Sequence, residues 1–178
     1  MKNNGLLFAL LGAGALFVSA KGNAATSSGW KVPPHGMKYA KLFEKYEKRF
    51  KLPKNLVAVM AGIESSYRAD AVGGVGEVGL MQLYKKYHPE KATVAISGNL
   101  KPDFTDPEQN IEYAAAYLRR LNNSIGNWED TIRAYNWGIG NVRKWQKANR
   151  PAGKVPLVTQ KYLTKISPAV NLKNPSKW

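Results

Sequence analysis

The sequence predicts a mainly α-helical domain. Apolar residues recur at spacings of three and four over several stretches, the period of a helix with one buried face. Start and stop signals punctuate those stretches, Asp106-Pro107-Glu108-Gln109 and Gly126 above all. Strand-like alternation is scarce, so a small hairpin or loop in the glycine-rich stretch is the only other structure expected.

The first helical stretch begins at Met37, where Leu42, Phe43, Tyr46 and Phe50 share a face and lysines lie between them. Pro53 suits the first turn of a second helix. Leu56, Val57, Val59, Met60, Ala61 and Ile63 make that helix apolar nearly all round, which predicts burial, and it runs into Glu64-Ser65. Residues 70–79 contain Gly73, Gly74, Gly76 and Gly79 and must form a loop or short hairpin. No Gly-Lys-Ser/Thr follows, so this is not a phosphate-cradling loop. A third helix starts at an Asp106 cap with Pro107 first and Gln109 third. It carries Ile111, Ala114, Ala115, Leu118 and Leu121 on one face and ends at Gly126. Asn127 caps a fourth helix from Trp128 to about Tyr135, and Gly138-Ile139-Gly140 breaks the chain. Two short helices follow, near 141–147 and 160–166, the last stopping before Pro168.

A chain of 178 residues accommodates one domain with its own core. Cysteine is absent, which excludes disulfides, Cys-ligated zinc and thiol nucleophiles but not an oxidising compartment. His35 and His88 are the only histidines and lack an HExxH spacing. A zinc hydrolase or a Ser-His-Asp hydrolase would have little to draw on. Each histidine reads as ordinary surface or loop material.

The net charge is +15, and residues 119–178 hold twelve Lys and Arg against Glu129 and Asp130. Such a field attracts polyanions, whether nucleic acid, anionic lipid or a carboxylate- and phosphate-rich bacterial wall. It also reads as a solubilising surface, and charge alone does not choose. The N-terminus narrows the field. A basic opening, an uncharged run from Gly5 to Val18, and small residues at Val18-Ser19-Ala20 and Gly22-Asn23-Ala24 have the layout of an export signal. The run is short for a span of about 20 residues, although a retained anchor is the other reading of the segment. Residues 1–24 are thus read as signal, 25–36 as linker, 37–166 as the folded domain and 167–178 as a basic tail. An exported domain argues against a nucleic-acid partner, and no recognisable reading motif for one is present.

Glu64 is the residue with most chemical promise. A carboxylate closing a buried apolar helix is costly to ionise. Its pKa is expected to rise from the ordinary value of about 4.3 toward about 6, the range of a glycosidic acid. The other reading is a glutamate at the wet end of its helix, solvated normally, and helix position alone leaves both open.

A series of motifs follows Glu64-Ser65 in order. It comprises Gly79-Leu80-Met81-Gln82, Asp106-Pro107 with Asn110-Ile111 and Ala114 to Leu118, Ala134-Tyr135-Asn136-Trp137-Gly138-Ile139-Gly140-Asn141-Val142, and Thr159-Gln160-Lys161-Tyr162. Each piece alone is weak; the complete ordered series resembles the catalytic domain of the soluble-type lytic transglycosylases, relatives of goose-type lysozyme. The likeness spans roughly residues 39–166. It implies a lysozyme-like helical fold whose loop or hairpin region lines a groove for alternating N-acetylglucosamine and N-acetylmuramic acid. It also implies that Glu64 protonates the glycosidic oxygen and then takes a proton from the muramoyl C6 hydroxyl, giving a 1,6-anhydro product without metal or organic cofactor. Asn136 would hold the N-acetyl group, in the manner of substrate-assisted glycosidases without a second carboxylate. Gln82 and Met81 would line the groove, Tyr135 and Tyr162 would approach the glutamate, and Ser65 would support it. Tyr135 reads equally well as a core aromatic with a satisfied hydroxyl.

The sequence also departs from the family pattern. Leu83-Tyr84-Lys85-Lys86-Tyr87-His88-Pro89 stands where relatives often have Met-Pro-x-Thr-Ala, Trp137 where alanine is usual, and Val158 where many have glutamate. Glu77 and Asp70 read as solvated loop acids. If either faced Glu64 across a sugar, a lysozyme-type hydrolase would be the alternative activity, with carboxylates about 6.5 to 9.5 Å apart. A non-catalytic wall-binding module is the rival of another class. The expected partners are peptidoglycan strands and anionic wall polymers. The setting is an envelope-spanning machine, a virion at infection or lysis, or periplasmic wall turnover.

Overall fold

The structure is a computed structural model that describes residues 30–88, 96, 98 and 101–173. The segment read as an export signal, residues 25–29 of the linker and the end of the tail lie outside the described residues. Pro34–Tyr39 form a 3-10 helix, so regular structure starts inside the stretch whose composition reads as linker. Six α-helices follow among the described residues: α1 (Ala40–Arg49), α2 (Leu56–Ser65), α3 (Pro107–Ile125), α4 (Trp128–Trp137), α5 (Ile139–Lys147) and α6 (Leu157–Ile166). None is long and apolar enough to cross a membrane.

The predicted signals act where expected around α3 and α4. The Asp106 side chain accepts the Gln109 N–H at 2.8 Å with Pro107 in the first turn, and Gly126, at φ 90°, ends the helix. The Asn127 side chain accepts the Asp130 N–H at 2.9 Å and opens α4 at once. Gly138, at φ 89°, separates α4 from α5. Helix α6 begins at Leu157, three residues before the predicted start, because Pro156 rather than a polar side chain sets its first turn.

Helix α2 is the hub. Leu56, Val57, Ala58, Val59, Met60 and Ala61 are each at most 2% exposed, and burial of each larger side chain contributes about 1.5 to 3 kcal/mol. α2 packs on α1, α3 and α6, while α4 joins α3, α5 and α6. Pro53 lies outside α2, which starts at Leu56 after a turn through Lys51 and Asn55 at φ 52° and 70°. With its backbone left-handed, Asn55 does not cap the helix with its own side chain. Glu47 of α1 substitutes, accepting the N–H groups of Asn55, Val57 and Ala58 at 2.9, 2.8 and 3.2 Å. That carboxyl is 2% exposed, and burial outweighs the three N–H groups to lift its pKa to about 7.

The glycine-rich stretch forms no strand among the described residues. Two isolated antiparallel bridges, Val72 with Val78 and Val78 with Leu83, are what remains of the expected hairpin. Its glycines offer no side chains to pack on a ladder, and Gly76 and Gly79 turn the chain at φ 101° and 76°. The first residues of the predicted tail are structural, for Ala169, Val170 and Leu172 are buried in the main core. A smaller cluster of Leu121, Ala134 and Val142, with Trp137 and Trp145 against it, joins α3, α4 and α5. Asp130, fully buried, ties α4 to α5 and the following turn through Arg133, Gln146 and Arg150. Its desolvation is outweighed by the Asn127 and Gln146 hydrogen bonds and the two guanidinium charges, which hold its pKa below the usual value.

Candidate active site

Glu64 occupies the last turn of α2, and the chain then leaves the helix through Ser66 and Tyr67, both left-handed at φ 53° and 61°. Non-glycine residues in that region are strained by about 1 kcal/mol or more each. The Ser66 and Tyr67 N–H groups return to the Gly62 and Ala61 carbonyls at 3.1 and 3.4 Å, which closes the helix sharply behind the glutamate. Ser65 is 3% exposed and donates its hydroxyl to the Ala61 carbonyl at 3.1 Å. Its part is to fasten the last turn of α2.

The Tyr162 hydroxyl of α6 donates to Glu64 Oε1 at 2.5 Å. Burial raises the Glu64 pKa, Tyr162 opposes the rise by stabilising the charged form, and the charge of Glu77 adds to it; the result is about 7. This exceeds the expected value of about 6. Glu64 keeps partial exposure, so dense protein surrounds a group that solvent still reaches. Tyr162 itself is 1% exposed, and burial together with the Glu64 charge moves its pKa well above the usual value.

Tyr135, near the end of α4, donates its hydroxyl to the Met81 carbonyl at 2.8 Å rather than to Glu64. It lies close enough for the Glu64 charge to add to the burial that raises its pKa. The neighbouring Asn136 is 4% exposed, and its Oδ1 accepts the Thr159 hydroxyl at 2.7 Å. Thr159 and Tyr162 stand three apart on α6 and so share one face, and α4 packs directly on α6. Through that packing Tyr135 and Tyr162 gather at the end of α2, and Asn136 is tied to the same face of α6 through Thr159.

The glycine loop meets the acid site through Met81, whose carbonyl accepts the Tyr135 hydroxyl. The Met81 side chain is fully buried in the core and lines no surface; its main chain is what serves the site. Gln82 is partly exposed in a left-handed backbone, φ 45°. Its Nε2 donates to the Ala71 and Gly79 carbonyls at 3.2 and 2.9 Å. The loop hangs on Asn110, which the sequence singles out only as part of a motif. Asn110 is fully buried, accepts the Met81 N–H at 2.9 Å and donates to the Phe104 and Val78 carbonyls at 2.8 and 3.1 Å. Thr159 and Asn110 are therefore the site residues that sequence reasoning passed over. Their membership of the motif series was the available signal.

Two expectations in this region need correction. Glu77 is 5% exposed and not a solvated loop acid, whereas Asp70 is exposed. His88 is not surface material: its Nδ1 pairs with the Tyr113 hydroxyl at 2.9 Å, and its ring meets Phe104, Tyr113 and Tyr117 edge to face. Burial lowers its pKa to about 4. His35 is exposed beside Tyr67.

The Glu64–Tyr162 contact has a direct test. Replacing Tyr162 by phenylalanine removes the hydrogen bond that opposes burial, so the midpoint of Glu64 should rise above the value of about 7. Carbon-13 NMR of the labelled carboxyl reads that midpoint without reference to activity, and a midpoint unchanged or lowered would show that Tyr162 does not stabilise the charged acid.

Comparison with known proteins shows the family to which the chain belongs. The family described as the transglycosylase SLT domain matches residues 41–157. Membrane-bound lytic murein transglycosylase C of Serratia proteamaculans is 30% identical over 135 residues, covering 67% of this chain and 37% of its own. Membrane-bound lytic murein transglycosylase F of Pasteurella multocida is 33% identical over 130 residues, covering 67% and 24%. The chain thus spans well under half the length of these relatives. Among solved structures, an inactive mutant of the lytic transglycosylase Slt from Pseudomonas aeruginosa superimposes with a TM-score of 0.64 at 27% identity, over 73% of this chain and 23% of that one. The 70 kDa soluble lytic transglycosylase of Escherichia coli gives 0.62 at 27%, over 72% and 22%; a complex of the 70 kDa soluble lytic transglycosylase with bulgecin A gives 0.63 at 28%, over 74% and 23%. With two thirds of its length matched and the lysozyme-like helical fold in common, the chain belongs to the transglycosylase SLT domain family.

Proposed function

We propose that the protein is a peptidoglycan lytic transglycosylase cleaving the β-1,4 bond between N-acetylmuramic acid and N-acetylglucosamine. The observation that carries this reading is a partly exposed acid titrating near neutrality and oriented at 2.5 Å by a buried tyrosine hydroxyl. At neutral pH much of the Glu64 population holds its proton. Glu64 gives that proton to the glycosidic oxygen, the bond from muramoyl C1 to that oxygen breaks, and the N-acetylglucosamine side leaves as an alcohol. The substrate's own N-acetyl carbonyl closes on C1. Asn136, its Oδ1 already held by Thr159, has Nδ2 left to donate to that N-acetyl group. Glu64, now a carboxylate, removes the C6 hydroxyl proton, and O6 displaces the carbonyl to form the 1,6-anhydro ring. No water is consumed, and Glu64 regains its proton.

The same reading makes the glycine loop, with Gln82, one wall of a glycan groove. The names of the relatives, all murein transglycosylases, support the substrate, and the neighbour complexed with bulgecin A belongs to the same class of enzyme. Export follows from the signal-like residues 1–24, giving a periplasmic or envelope protein, virion-associated if phage-borne. The exposed Arg143, Lys144, Lys147, Lys154, Lys161 and Lys165 supply the basic surface that would hold it to anionic wall polymers. Mass spectrometry of digested sacculi tests the reaction. Muramoyl ends should be one water lighter than those from a lysozyme digest; hydrated reducing ends throughout would instead establish the hydrolase.

A further inference from the structure

Glu77 sits in a loop of glycines, where a carboxylate would ordinarily turn to water, yet it is 5% exposed. It is built into the loop. Its Oε2 accepts the Val75 N–H at 3.1 Å, and its main-chain carbonyl accepts the Gly73 N–H at 2.7 Å. Gly73 makes the room: a Cβ there would lie 2.3 Å from Glu77 Oε2 and 2.8 Å from Gln82 Oε1. Both side-chain oxygens therefore crowd one point, with Gln82 held from its other end by the Ala71 and Gly79 carbonyls. The loop reaches the acid site through the Met81 carbonyl, which takes the Tyr135 hydroxyl. Among the described residues, Tyr162 from α6, Tyr135 from α4 and Glu77 from the loop are the titratable groups that interact with Glu64, and Glu77 is the carboxylate among them.

From this placement we infer that Glu77 is a positioning residue of the acid site, shaping the glycine loop around Gln82 and bringing a second negative charge to the site through that loop. The inference rests on the transglycosylase reading. A like charge favours the protonated acid before cleavage. After Glu64 has given its proton away, the same charge makes the resulting carboxylate a stronger base toward the C6 hydroxyl. One fixed charge thus assists both halves of a reaction in which a single side chain is acid and then base. This differs from a second carboxylate that activates water, because the role assigned to Glu77 is to hold the loop, through Val75 and Gly73, and to act on Glu64 by its charge.

Glu77→Gln keeps the side chain's size and removes its charge. The alkaline limb of the activity profile, and the Glu64 midpoint read by carbon-13 NMR, should both move down by about half a pH unit or more. Above that limb kcat should fall about tenfold while KM stays within about twofold. Glu77→Asp, which retains the charge, should keep both readouts near wild type, and Glu77→Ser should follow the glutamine variant, so that failure of one variant to fold does not remove the test. An unmoved limb together with an unmoved Glu64 midpoint in a folded neutral variant overturns the inference. So does a loss confined to KM. Because the NMR midpoint does not depend on turnover, that failure is distinguishable from failure of the underlying reading, which Glu64→Gln decides.

Discussion

Replacing Glu64 by glutamine is expected to lower glycan cleavage by roughly 1,000-fold, since the residue serves as both general acid and general base, and at the same time to stabilise the fold. The two effects share one cause. A carboxyl that titrates at about 7 in the folded chain, against 4.5 ordinarily, binds its proton more tightly folded than unfolded. Wild-type stability therefore falls as pH rises between those two values and levels off above the higher one. The neutral amide is free of that dependence. Above pH 7 the variant should be more stable by up to about 3 kcal/mol, the free-energy equivalent of the shift, and the gap should close on acidification toward pH 4. Glu47, raised by burial to about 7 as well, contributes a slope of the same sign to both proteins and cancels from the comparison. Turbidity loss on sacculi and melting curves at pH 4, 6 and 8 check the pair of claims. Wild-type cleavage by Glu64→Gln would remove the residue from the mechanism, and an unchanged melting difference across pH would show that its carboxyl is not strained by burial.

Gly79→Ala should be the most damaging substitution outside the acid itself. Gly79 has φ 76°, and a Cβ there would stand 2.4 Å from Asn110 Nδ2 and 2.6 Å from the Phe104 carbonyl oxygen. The second of these is backbone and cannot step aside cheaply. The first is the amide that holds the loop to α3 through the Val78 and Phe104 carbonyls. A left-handed alanine costs about 1 kcal/mol or more, and breaking buried hydrogen bonds adds about 1 to 3 kcal/mol each, for a loss of roughly 3 kcal/mol or more. Displacing Met81 and Gln82 by about 1 Å should cost about 100-fold in turnover even where the fold survives. Gly74→Ala is the control, for a Cβ there meets nothing within 4 Å. Chemical denaturation and sacculus digestion of the two variants side by side would decide. Equal behaviour would mean that the Asn110 anchor does not hold the loop.

Much of the scaffold was legible because its signals are local. The Asp106 and Asn127 caps, the Gly126 stop and the apolar run of α2 each act within a few residues of chain. The misread starts were those in which the deciding partner is distant in sequence or the backbone is unusual. Helix α2 begins late because Glu47, eight to eleven residues earlier, caps it in place of Asn55, and Pro53 gives no hint of that. The hairpin stops at two bridges because Gly76 and Gly79 turn the chain and the Asn110 and Gln82 side chains share its Val78 and Gly79 carbonyls.

The site divides along the same line. From the sequence alone follow a mainly helical domain, an acid at the end of its most apolar helix, and the ordered motifs that identify its family. These depend on residue type and spacing, which the chain carries along its length. Only the tertiary structure decides that Tyr162, 98 residues away, and not Tyr135 makes the hydrogen bond to Glu64, that Met81 serves through its carbonyl, and that Glu77 is buried while Asp70 is not. Burial and pairing depend on which elements meet in space. The pKa of an acid is set by those neighbours and not by its place in the chain.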